Sequence, residues 1–189
     1  MRLILGAAAI GLLAACNAQA PADNQSQPAN VAVAANDTAT APEIAPIDAA
    51  APLGTPVTGD EAKTVMHDRH EGMEHIGKAA KTIGRELKSD APNIKVIQDA
   101  AATIADLASK TGGWFRPGTG PDVAKTAAKP AIWENAADVA AKDRDFQRAA
   151  QAFNAAAAGG DIATIKASFA DLGKTCKACH DKYRAEMKH

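Results

Sequence analysis

The chain has 189 residues and a net charge of −1, enough for one domain with a real core but with no basic stripe for nucleic acid. Forty-seven residues are alanine and only seven are aromatic, which favours helix and argues against a sandwich, barrel or doubly wound sheet. Such a helical domain has little side-chain bulk of its own, so either its core is thin or something other than amino acids fills it.

Residues 1–15 read as an export signal rather than as part of the fold. Arg2 supplies a basic start, and Leu3 to Ala15 is an apolar run shorter than the roughly 20 residues that a membrane span needs. It ends in Leu13-Ala14-Ala15-Cys16, which resembles a bacterial lipoprotein processing site with Cys16 as the lipidated residue. The alternative is an ordinary signal cut near Ala18 or Ala20. A lipid on Cys16 anchors a protein to a membrane without spanning it. By analogy with other lipoproteins, Asn17 after the cysteine favours the outer membrane.

Residues 16–58 are expected to be the lipidated cysteine and a linker. Positions 17–58 hold six of the ten prolines, four acids, no Lys or Arg and no aromatic residue. That composition cannot offset the entropy of ordering. As coil, it spans about 35 Å.

Residues 59–189 carry helical periodicity instead. Met66, Met73, Ile76, Ala80, Ile83 and Leu87 form the stripe of a first helix. Ser89 to Pro92 breaks it, and Ile94, Ile97, Ala101, Ile104 and Ala108 mark a second. Thr111-Gly112-Gly113 and a Pro/Gly loop follow. A third helix is predicted to run unbroken from Pro130 through Trp133 and Phe146 to Gly159-Gly160. Asp161 caps a fourth, with Ile162, Ile165, Phe169, Leu172, Cys176 and Tyr183 on one stripe. The expectation is all-α: an antiparallel four-helix bundle, without internal repeat or transmembrane segment.

The chemistry is concentrated in Cys176-Lys177-Ala178-Cys179-His180. C-x-x-C-H is the attachment motif for c-type haem: two thiols bond the haem edge and the imidazole reaches the iron. Three rival readings are weaker. A redox C-x-x-C opens a helix after a strand, a structural zinc needs a fourth ligand, and neighbouring helical cysteines make a poor disulfide.

Three segments give the domain a resemblance to the cytochrome c′ family, and within it to the low-spin cytochrome c556 branch. They are Cys176 to Arg184, Trp114-Phe115-Arg116-Pro117-Gly118-Thr119 leading to Pro130-Ala131-Ile132-Trp133, and Arg69-x-x-x-Met73-x-x-Ile76-Gly77. The resemblance covers about residues 60–187. It implies one covalent haem c, with His180 as proximal ligand and Met73 as distal ligand. It places Arg69 near a haem propionate and implies a haem environment that includes Ile76, Phe115, Trp133, Tyr183 and Arg184. Trp133 and Tyr183 read as packing residues, and Trp114 and Phe115 as flanking the haem edge.

Several residues keep alternatives. Met73 is core in the bland reading, since Met66 shares its stripe. His70, one turn before Met73, is the rival distal ligand, whereas His67 and His75 face solvent and His189 ends the chain. Arg184 either lies by the proximal pocket or pairs with Asp181 or Glu186.

The leading function is electron transfer in the periplasm by a tethered cytochrome, between redox proteins the sequence does not name. No catalytic acid, base or nucleophile set appears, so no enzyme is expected. The alternative is a haem module that binds nitric oxide or carbon monoxide, and the plainest reading is a structural lipoprotein without haem. The family resemblance also admits a homodimer.

Overall fold

The computed structural model describes residues 53–186. Residues 1–52, with the expected signal, Cys16 and most of the expected linker, lie outside the described residues, as does His189.

Five helices follow in chain order: α1 (Gly59–Glu86), α2 (Ile94–Ala108), the single turn α3 (Ala131–Glu134), α4 (Ala136–Gly159) and α5 (Ile162–Tyr183). The long four make the expected bundle. Among the described residues there is no strand, only one antiparallel bridge between Ala128 and Arg184. No described helix is long and apolar enough to cross a membrane.

Local chemistry sets the helix ends. In α1, Asp60 and Glu61 in the first turn and Arg85 in the last oppose the helix dipole. Asn93 caps α2 by accepting from the Val96 amide at 3.2 Å. Asp161 does the same for α5 at the Thr164 amide, 2.8 Å away. Gly160, at φ +75°, takes the left-handed turn that ends α4.

The predicted third helix is in fact two. Asn135 leaves helical geometry at φ −121° and ψ 42°, and its Nδ2 donates to the Ala131 carbonyl at 2.9 Å, closing α3 before α4 begins.

Residues ahead of position 59 already join the packed body. Leu53 and Val57 are only 5% and 3% exposed. The Val57 amide donates to the Pro117 carbonyl at 2.9 Å, and Arg116 donates to the Thr55 carbonyl and to Glu61, both at 2.8 Å. Residues 53–58 are therefore a strap across the 115–120 loop.

Close packing runs from α1 to α2, from α2 to α4 and from α4 to α5. The predicted stripes point inward: Ile97, Ala101, Ile104 and Ala108 of α2 are fully buried, as are Ile83 of α1, Phe153 of α4 and Ile165 of α5. Alanines let these backbones approach, and the few rings concentrate between them, with Phe153 and Phe169 5.4 Å apart. A second, smaller cluster gathers Leu53, Ile132, Val139, Ala140 and Tyr183 near the end of α5.

Candidate functional site

Cys176, Cys179 and His180 lie in the last two turns of α5. Both thiols are free and half-buried. Burial raises the pKa of each, so both rest as neutral thiols. His180 is exposed at residue level, yet partial burial of its ring and the Arg184 cation lower its pKa, and Asp181 opposes this only in part. A neutral imidazole with a free lone pair results.

The end of α5 is held in place. The Tyr183 hydroxyl, on a residue 1% exposed, donates to Asp138 of α4, and Lys182 donates to the same carboxylate at 3.0 Å. Beyond the helix, Lys129 donates to the Tyr183 carbonyl and Ala185 to the Ala127 carbonyl, at 3.0 and 2.8 Å. Cys179 packs into the same cluster as Tyr183. A cavity of about 130 Å³ adjoins this cluster, lined by Leu53, Thr111, Phe115, Val139, Ala140 and Asp143 among others, and not by the Cys/His motif itself.

Met73 is half-buried and packs against the main core, beside buried Ile76. His70 is exposed, with a ring nitrogen close to carboxylate oxygens of Glu71 and Glu74. His67 and His75 are exposed, as expected.

Arg69 is 5% exposed and holds a loop. Its two Nη atoms donate to the Trp114 carbonyl (2.9 Å), the Thr119 hydroxyl and carbonyl (3.1 and 3.0 Å) and the Thr126 hydroxyl (3.1 Å). Its guanidinium also stacks 5.4 Å from the Phe115 ring centre and 6.0 Å from that of Trp133. Burial pulls its pKa down to about 10, still cationic at neutral pH. Among the described residues no carboxylate meets it, and these loop oxygens are the partners its position in the sequence does not disclose.

The loop's aromatics take different places. Trp133 Nε1 donates to the Phe115 and Arg116 carbonyls at 2.9 and 3.1 Å. Trp114 is 7% exposed and part of the main core, against Gly72 of α1. Arg184 is exposed, and among the described residues it pairs with neither Asp181 nor Glu186. Sequence reasoning missed Gly72, Thr126 and Asp138, which carry no local signal, and it named Arg116 and Thr119 only within the family segment, without the contacts they make.

The arrangement fits a covalent haem. Two free thiols and an adjacent imidazole with a depressed pKa share the end of one helix. The helix bearing Met73 and the helix bearing the motif are not joined by close backbone packing.

The family model for cytochrome C′ matches residues 64–184. This chain belongs to the cytochrome c′ family. The cytochrome c′ of Allochromatium vinosum is 36% identical over 124 residues, which are 64% of this chain and 80% of that protein. The crystal structure of cytochrome c′ from Thermochromatium tepidum is 35% identical, with a TM-score of 0.61, covering 66% of this chain and 97% of that one. A mutant of cytochrome c prime from Alcaligenes xylosoxidans, solved as its nitric oxide complex, is 28% identical with a TM-score of 0.60, over 67% of this chain and 97% of that one. Family membership makes this a haem protein with one covalent haem c.

Proposed function

We propose that this protein is an electron carrier, not an enzyme, with a c556-like His/Met-ligated haem. Cys176 and Cys179 supply the covalent bonds, His180 the proximal nitrogen and Met73 the distal thioether. The observation that carries this reading is the placement of Met73: half-buried, beside Ile76, on the helix that does not close-pack against α5. When bound, haem c supplies one-electron exchange between ferric and ferrous iron. The chain's part would be to hold the His180 imidazole and the Met73 thioether still. Tyr183 and Asp138 fix the helix end under His180, and the α1 core fixes Met73. With haem c held by His180 and Met73, the thioether and imidazole together would favour the reduced state and raise the potential.

Absorption spectra in both oxidation states test this. A low-spin ferric spectrum with a far-red sulfur–iron band is expected, and it should be lost in Met73→Ala. A high-spin five-coordinate spectrum overturns the assignment of Met73. It would favour the second reading, gas binding, which is supported by the nitric oxide complex of the Alcaligenes xylosoxidans relative.

The same reading places the protein in the periplasm, lipid-anchored through Cys16 to a membrane, the outer one favoured, and passing electrons between protein partners, with a homodimer as its assembled form. The residues behind it are Leu13 to Cys16 and the proline-rich stretch that follows. Cys16→Ser should release the protein from membranes into the soluble periplasmic fraction. Unchanged membrane association would remove the anchor from the proposal.

A further inference from the structure

The outer face of α1 carries a second set of metal-ligating groups, independent of the haem reading. One ligand atom each from His70, Glu71 and Glu74 lies within 4.8 Å of the others. His70 and Glu74 are one turn apart, and Glu71 is one turn before His75 and one turn after His67. Three of the chain's five histidines thus fall within nine residues. All of these side chains are exposed except half-buried Glu71. The cluster is more than an acidic patch, because an imidazole nitrogen converges with the two carboxylates.

We propose that this face of α1 binds one divalent transition-metal ion, zinc or copper(II), through His70, Glu71 and Glu74. The mixed nitrogen and oxygen donors select the ion class. Imidazole suits zinc, copper and nickel, whereas magnesium and calcium prefer all-oxygen shells. Ligand distances near 2.1 Å place neighbouring donors roughly 3–4 Å apart, so small rotamer changes close the observed spacing. The present competitor is Lys78, whose ammonium lies 3.1 Å from Glu74 Oε1. Both partners are more than 45% exposed, at 62% and 48%, so the pair is weak and yields to a divalent cation. Three protein donors leave further positions for water or for a flanking histidine. Such an ion clips two successive turns of α1 and stabilises the folded helix by mass action.

The test uses the haem-loaded protein, freed of loose metal with a chelator. Zinc is titrated calorimetrically, and copper(II) is followed by electron paramagnetic resonance. One ion per chain is expected, with nitrogen hyperfine structure on copper and a raised melting temperature in zinc. His70→Gln and Glu74→Gln should each weaken binding at least tenfold. Lys78→Ala should bind at least as tightly as the parent. The haem absorption spectrum serves as a fold control in every variant and is expected not to change. Uptake that persists in the combined His70→Gln, Glu74→Gln variant overturns the proposal. So does an absence of uptake by the parent at submillimolar zinc. A haem spectrum altered by His70→Gln would place His70 at the iron and would also overturn the proposal.

Discussion

Trp114 stands directly on Gly72. A Cβ built at Gly72 would lie 2.2 Å from Cη2 of the indole and 2.4 Å from Cζ2, so any side chain there displaces a buried ring. Gly72 immediately precedes Met73, and Trp114 belongs to the core cluster against which Met73 packs. Gly72→Ala should destabilise the protein by about 1–3 kcal/mol, the usual cost of overpacking. It should also shift tryptophan fluorescence. In a Trp114→Leu background the same change should cost much less, because the clash is gone and alanine is the better helix former. Equal losses in both backgrounds, by thermal melting, would refute the contact.

Arg69 connects α1 to the loop through four hydrogen bonds to loop oxygens. Arg69→Leu leaves buried oxygens without donors, at about 1–3 kcal/mol for each one left unpaired. Arg69→Lys should rescue little, because a single ammonium cannot span the set that a planar fork reaches. Hydrogen exchange should quicken across residues 115–126 in both variants. A lysine variant with parental protection would show that charge alone suffices.

The bundle was legible in the sequence because its core positions recur every three or four residues, as Ile97, Ala101, Ile104 and Ala108 do. The Cys/His motif was legible because its spacing is local. What escaped depends on distance along the chain. Arg69 finds acceptors 45 to 57 residues away. Thr55 and Arg116 are 61 apart. No periodicity encodes such pairs. Leu53 and Val57 sit among prolines and threonines whose composition reads as linker, and only their burial against the loop reveals the strap. The break at Asn135 hides between alanines that extend the helical pattern on paper.

The strap makes a prediction about length. A chain beginning at residue 59 lacks Leu53 and Val57, and burying each such side chain contributes about 1.5–3 kcal/mol. It also frees Arg116 from Thr55. Compared with a chain beginning at residue 53, it should melt several degrees lower. Arg116→Ala in the longer chain should reproduce part of that loss, because it removes the hydrogen bonds to Thr55. Identical melting temperatures would show that the strap rests on the loop without stabilising it.

Acid should loosen the end of α5 through Asp138. Hydrogen bonds from Tyr183 and Lys182 hold this carboxyl below the ordinary aspartate range. A carboxyl with a depressed folded pKa stabilises the protein above its unfolded value of about 3.9, and that stability is lost as pH falls through the folded value. The parent should therefore out-melt Asp138→Asn at neutral pH, and the gap should close on acidification below the aspartate range. Near-ultraviolet circular dichroism of the lone tyrosine region reports the same release. Tyr183→Phe should also shrink the gap, since it removes the hydroxyl that is the first cause of the shift. A gap that stays constant down to the acid limit would show that Asp138 acts through packing rather than through its charge. Because Tyr183 lies three residues beyond His180, the loosening should appear in the haem-loaded protein as an acid-dependent change in the proximal ligand's spectrum before the bundle unfolds.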